Sequence, residues 1–254
     1  MTYRRLEPHP GSQNSPLKAP GTLYLVPTTL GGENIGRVIP AEVQRQIREL
    51  NYFVAEDPKT ARAYLKRVDP ERPLQSIVIE RLDHNTAPAA VDTLLAPILA
   101  GDDGGLISEA GCPAIADPGA LLVRRAHEQG VRVAPMVGPS SILLALIASG
   151  LESQRFAFHG YLPVKPPARD QAIRNIEARS RKNRETQIVI ETPYRNAHLL
   201  DALFSVCGAD TLLCIATDLT LPTESVRSLR IADWKSRKPD LKDRPSVFLL
   251  LAAH

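Results

Sequence analysis

The sequence predicts an α/β protein of two α/β domains, about residues 21–150 and 151–254, with a ligand cleft between them. Three observations carry this. Apolar runs of strand length alternate with segments of helical period from residue 21 onward, the pattern of mostly parallel strands joined by right-handed crossovers. Two loops rich in small residues, LISEAGCPAIADPG at 106–119 and GPSS at 138–141, each follow an apolar run. Small residues let main-chain groups approach a ligand closely, and such loops at the ends of neighbouring strands make one crevice. Finally, the alternation is interrupted at 151–154 (LESQ), which reads as a linker.

Residues 1–20 hold Pro8, Pro10, Pro16 and Pro20 with Gly11, Ser12, Asn14 and Ser15, a composition that predicts an extended or disordered arm. A strand follows at 22–27, then a turn-rich stretch at 28–36. Val43, Ile47 and Leu50 have helical spacing over 40–50, and 52–55 is a second strand. Asp57-Pro58 marks the start of a helix at 59–67. Strands at 77–79, 104–108 and 131–136 alternate with helices at 89–100, 118–129 and 140–148, the last two stopped by Gly130 and Gly150. In the second domain, strands at 155–160, 187–191, 212–217 and 246–252 accompany helices at 168–181 and 197–206. The polar, proline-containing stretch 230–244 makes a mixed sheet the expectation there.

With 43% hydrophobic residues in 254, the chain has ample core, and a net charge of +3 demands no polyanionic partner. The charge is uneven, however. Lys165, Arg169, Arg174, Arg179, Arg181, Lys182, Arg184 and Arg195 outnumber Asp170, Glu177, Glu185 and Glu191 within one stretch. Such a surplus either tracks a phosphate backbone or forms a solvated helix face. Cys112, Cys207 and Cys214 are scattered, so no metal site is expected and the thiols read as reduced. No apolar run has the length of a signal peptide or a membrane span, so a soluble, cytoplasmic protein is expected.

The ordered blocks GTLYLVPTTLGG, AEDPKTARAYL, LISEAGCPAIADPGALLVRRAHEQGVRVAPMVGPSSILLALIASGL, FHGYLP, ETPYR and ATDLTLPTE resemble the tetrapyrrole-methylase-like (class III) methyltransferases. Within that superfamily the chain is most similar to the bacterial 16S rRNA ribose 2′-O-methyltransferases that act on a cytidine of the decoding region, over about residues 21–252. The resemblance implies S-adenosylmethionine bound in a folded conformation between two α/β domains, a homodimer, and 16S rRNA or the small ribosomal subunit as partner. Carried over by position, it implies cofactor contacts from Leu30, from Ala110, Gly111, Cys112 and Ile115, from Ser140 and Ser141, and from Glu191 and Leu219. The chain also departs from the pattern. PTTLGGEN stands where the rRNA enzymes typically have Thr-Pro-Ile-Gly-Asn, Glu109 replaces an aspartate, Cys112 a threonine, and Thr217 a basic residue.

Methyl transfer from a sulfonium is an in-line displacement, so orientation supplies much of the catalysis and a base assists a weakly nucleophilic hydroxyl. Glu56, Asp57, Glu109, Lys165, Glu191, Arg195 and Glu224 are the charged residues expected to face the cleft. Glu109, beside the cofactor loop, Asp57, as substrate-orienting group or helix cap, and Lys165, as a phosphate contact, are the catalytic candidates. Arg179, Arg181, Lys182 and Arg195 are the candidates for gripping RNA. His84 and His159 read as bases or as structural residues; Phe156, Phe158 and Tyr161 as base-stacking or core. Two alternatives stay open: methylation of a tetrapyrrole or other small molecule, and a paralogue that binds cofactor or RNA without turnover. The segment Ala110-Gly111-Cys112-Pro113 differs from the Gly-Gly-Asp-Pro typical of the tetrapyrrole enzymes.

Overall fold

The computed structural model describes residues 18–69 and 73–253, so the arm expected at 1–20 lies almost wholly outside the described residues. The first half is a parallel five-stranded sheet: β1 (Thr22–Val26), β2 (Tyr52–Ala55), β3 (Val78–Arg81), β4 (Gly104–Ile107) and β5 (Arg132–Pro135), in the order β3-β2-β4-β1-β5. Side chains alternate across it with period two. Val26, Phe53, Ala55 and Ile107 pack beneath α1 (Ala41–Glu49) and α2 (Pro58–Val68). Leu23, Tyr52, Val54 and Leu106 meet α3 (Pro88–Leu99) and α4 (Gly119–Glu128) on the other face. Because the chain leaves β1, β4 and β5 on the same sheet edge, their loops emerge side by side.

The second half is the expected mixed sheet. Its strands are β6 (Phe156–Tyr161), β7 (Thr186–Glu191), β8 (Leu212–Thr217), β9 (Ser225–Arg230) and β10 (Ser246–Leu251), ordered β6-β7-β10-β8-β9. Only β6 and β7 pair in parallel; the other three pairings are antiparallel. Val189, Leu213, Ile215, Phe248 and Leu250 face α6 (Ala168–Asn183), α7 (Asn196–Val206) and α8 (Ile231–Lys235). Ile188, Cys214, Ala216, Val247 and Leu249 face the other way, toward α5 (Ser141–Ser149).

Two elements, β9 and α8, escape the sequence reading. At the sheet edge β9 (SVRSLR) needs only alternate half-buried residues, so its apolar signal is weak. Helix α8 is five residues long and docks through Ile231 and Trp234, whose indole N–H donates to the Leu213 carbonyl at 2.8 Å. A second feature bears directly on the cleft. Helix α5 follows the last strand of the first sheet, yet its Ala145 and Leu146 are buried against the second. The Ser228 hydroxyl also donates to the Ser149 carbonyl, at 2.6 Å. One helix therefore joins the two halves.

Candidate active site

Three loops, following β1, β4 and β5, are tied together at Gly111. Its carbonyl oxygen accepts the Thr28 N–H at 2.9 Å and the Ser108 hydroxyl at 3.1 Å. Gly111 has φ +75°, and a Cβ there would stand 3.0 Å from Leu30 and 3.2 Å from the Pro139 carbonyl oxygen. The Cys112 thiol, pushed up by burial, donates to that Pro139 carbonyl at 3.5 Å, closing the seam to the β5 loop. Gly138 is a point of close approach: its added Cβ would meet the Pro27 ring at 2.2 Å.

The long loop after β4 is folded around Asp117. That carboxylate accepts the Ala114 N–H at 2.9 Å and the Gly119 N–H at 2.8 Å. Ala114 and Ala116 take left-handed φ values of 65° and 58°, conformations that cost on the order of 1 kcal/mol each and persist only where neighbours enforce them. Burial holds the Asp117 carboxyl above its ordinary range, outweighing the two N–H groups that lower it.

These loops form one wall of a cleft of about 750 Å³, a volume typical of small-molecule sites. Ser140 caps α5, its hydroxyl accepting the Leu143 N–H at 3.4 Å, and places Ser141 and Ile142 on the cleft floor. Ile190, Glu191, Ala216, Leu219, Ser246 and Val247 make the opposite wall from the second sheet. Glu56, His84, Glu109 and Tyr161 complete the lining. Glu56 lies 3.5 Å from His84. Its carboxyl is raised, first by burial and then by the negative charges of Glu109 and Asp117, with His84 opposing. Burial likewise raises the Tyr161 hydroxyl.

Leu219 is positioned by a turn in which Asp218 and Thr220 have φ values of 53° and 72°. The Asp218 carboxylate, buried, accepts Arg244 Nε and the Thr223 hydroxyl, each at 2.8 Å. Arg244 also donates to the Thr223 carbonyl at 2.9 Å, while its own carbonyl accepts the Asn196 side chain at 2.7 Å. This clasp pins the β8–β9 turn against the segment entering β10.

Residues 22–234 match the family model of the tetrapyrrole (corrin/porphyrin) methylases. The chain belongs to that family. It is therefore an S-adenosylmethionine-dependent methyltransferase. Among its relatives, "Ribosomal RNA small subunit methyltransferase I" of Xylella fastidiosa is 36% identical over 236 residues, 92% of this chain and 82% of the relative. The protein of the same name from Escherichia coli O157:H7 is 32% identical over 251 residues, covering 98% and 82% respectively. The crystal structure of the methyltransferase CobJ superposes with a TM-score of 0.60 over 92% of this chain and 95% of CobJ, at 17% identity, showing the shared methylase fold.

In this methyltransferase, Leu30, Ala110, Gly111, Cys112, Ile115, Ser140, Ser141, Glu191 and Leu219 all line the one cleft, as does Glu109. Asp57 does not line it. Its carboxylate caps α2, accepting the Lys59 and Thr60 N–H groups at 3.1 Å. Lys165 is exposed in the connection between β6 and α6, also outside the lining. Arg179, Arg181 and Lys182 sit on α6, which covers the face of the second sheet turned away from the cleft. There Arg179 pairs with Glu185, and Arg181 donates to the Ala253 carbonyl at 3.2 Å. Arg195 lies beside the cleft but is engaged, with Nε 2.9 Å from Glu191 Oε1 and the guanidinium 5.5 Å from the Tyr194 ring. No cluster of metal-ligating side chains occurs among the described residues.

The Asp117 wrap and the Asp218–Arg244 clasp were not singled out from sequence. The only available signals were Asp-Pro-Gly at the end of the first loop and an arginine lying just before the last strand. Two outcomes test the site's construction. Gly138→Ala drives a Cβ into Pro27 and should destabilise the fold by about 2 kcal/mol in urea denaturation, the usual cost of overpacking. Arg244→Ala leaves the buried Asp218 carboxylate without its cation; a loss of about 2–3 kcal/mol in the same measurement is expected, below the full buried-pair value because Arg244 is partly solvated.

Proposed function

We propose that this methyltransferase holds S-adenosylmethionine in the described cleft and methylates a ribose 2′-hydroxyl of small-subunit (16S) rRNA. The observation that carries the proposal is the convergence of the β1, β4 and β5 loops with the second sheet on a cleft whose edge holds Glu56 and Glu109. The rRNA acceptor is supported by relatives that bear a small-subunit rRNA methyltransferase name and align across both sheets. The cleft also fits the cofactor chemically. Ile115 is 46% exposed where it lines the cleft, an apolar surface for a flat heterocycle to cover, with Leu219 on the facing wall. Main-chain groups at 110–112 serve its polar edges. The first turn of α5 offers N–H groups and a partial positive charge suited to a carboxylate.

When bound, S-adenosylmethionine supplies a methyl group made electrophilic by its sulfonium. The chain's own residues orient the acceptor and handle the proton. Methylation of the acceptor hydroxyl would break the methyl–sulfur bond and release the cofactor as a neutral thioether, and Glu56, which lines the cleft, would accept the hydroxyl proton. Burial first, and then the neighbouring Glu109 carboxylate, raise the proton affinity of Glu56 and so ease that transfer. The sign follows from the shift. Glu56 stays protonated, and idle as a base, to higher pH than an ordinary carboxylate, so the rate rises as pH climbs through that raised range. Native Glu56 also holds its proton more tightly than the unfolded chain does, so its contribution to stability diminishes over the same rise in pH.

Isothermal calorimetry should show S-adenosylmethionine binding, and no binding at millimolar ligand overturns the proposal. Glu56→Gln should retain that binding, lower kcat on unmodified small subunits by roughly 10²-fold or more, and abolish the acidic limb of the pH profile.

The same reading includes a homodimer. On the exposed side of α5, Leu143 and Ile147 stand one turn apart, Ile147 at 74% exposure, with Val137 nearby in sequence at 70%. A second copy of the chain would cover this strip. Leu143→Asp with Ile147→Asp should convert a dimer to a monomer in light scattering. No helix among the described residues is long and apolar enough to cross a membrane, and a ribosomal acceptor supports a cytoplasmic location.

A further inference from the structure

Beside the cleft, α2 carries basic side chains that have no carboxylate partner among the described residues. This helix reads PKTARAYLKRV, with four basic residues and no acidic one. Lys59, Arg62 and Lys66 recur at spacings of three and four, so they share one exposed face. They surround a shallow groove whose apolar surface comes from Pro58, Ala63 and Leu74. Among the described residues, none of the three has a carboxylate within 4 Å, so their charge is available to a partner. Arg62 is aimed by a 3.0 Å hydrogen bond to the Leu74 carbonyl.

The groove begins at the cleft. Glu56 lines the cleft, Asp57 caps the helix, and Pro58 and Lys59 already belong to the groove. At the other end of the helix, Arg67 donates to the Gly32 carbonyl at 3.2 Å, in the same loop as the cleft residues Leu30 and Gly31. The helix thus starts two residues after the cleft residue Glu56 and is tied at its far end to the loop that carries Leu30 and Gly31. Helix α6 offers the contrasting case: more arginines, but facing away from the cleft and drawn into internal contacts.

We propose that the α2 groove is where the sugar-phosphate backbone of the RNA acceptor lies as one of its riboses enters the cleft. The inference rests on the rRNA reading above and adds the surface that delivers the substrate. Three cations in line fit a run of phosphates, and their shared face leads toward Glu56. Contacts of this kind are read in the salt dependence of binding, because each neutralised phosphate releases condensed counterions.

The test measures binding of the full chain to purified small ribosomal subunits across a salt series. Lys59→Gln, Arg62→Gln and Lys66→Gln combined should weaken binding by about tenfold or more and reduce the salt slope by about 2–3. Calorimetric S-adenosylmethionine affinity should not change. Lys59→Gln and Lys66→Gln singly, which disturb no internal hydrogen bond, should each lower the slope by about 1. Neutralising Lys235 and Arg237, beside the cleft-remote helix α8, should leave it at the wild-type value. A combined α2 variant with wild-type affinity and slope overturns the groove while leaving the rRNA reading intact. A wild-type chain that binds cofactor but no ribosomal subunit overturns both.

Discussion

The cleft depends on one carbonyl oxygen. Gly111 O receives the first N–H beyond the β1 loop's proline and the hydroxyl of Ser108, and so holds two adjacent loops at a fixed separation. The third loop joins through Cys112 and Pro139, and the Pro27 ring of the first loop leaves no room for a side chain at Gly138. Buried backbone groups need partners, and here the loops satisfy one another. Ala110, Gly111 and Cys112 are thereby held in the cleft lining. Asp117 extends the same logic: by accepting two N–H groups it makes two left-handed alanines tolerable, and the loop keeps a shape that alanine alone would not choose.

The second wall is built by different means. Its strands supply flat apolar surface through the residues that alternate toward α5, and only the β8–β9 turn needs special restraint. The Asp218–Arg244 pair provides that restraint in a partly desolvated setting, where a charge-assisted hydrogen bond is stronger than at the surface. Glu191 is restrained similarly, with Thr192 N–H and Arg195 both donating to its Oε1. The wall facing the glycine-rich loops is thus held largely by charged side chains, and the loop wall largely by backbone.

Much of the parallel half was legible in the sequence. Its central strands β1, β2 and β4 are largely apolar runs, and α4 carries a clear stop at Gly130. The cleft lining was legible because loops that bring backbone into close approach depend on small residues at fixed spacing, as at Ala110, Gly111 and Ser140. Strand β9 was not legible, because an edge strand needs apolar residues on only part of one face. Charge counting pointed to α6, since a one-dimensional surplus does not reveal which side of a sheet a helix covers or which arginines are already paired. Asp57 and Glu56 show the same limit at single-residue scale: adjacent carboxylates, one turned to the helix end and the other lining the cleft.

Helix α5 has a consequence for how the molecule comes apart. It is covalently continuous with the parallel sheet, yet its apolar side completes the core of the mixed one. If the halves part, α5 stays on the mixed sheet, with Ala145 and Leu146 still covering Cys214, Val247 and Leu249. A buried leucine alone is worth on the order of 2 kcal/mol. That burial ties α5 to the mixed sheet, so the two halves are linked here by the short connection between β5 and α5. A turn of one half against the other at that connection would change the cleft, because the cleft is lined from both.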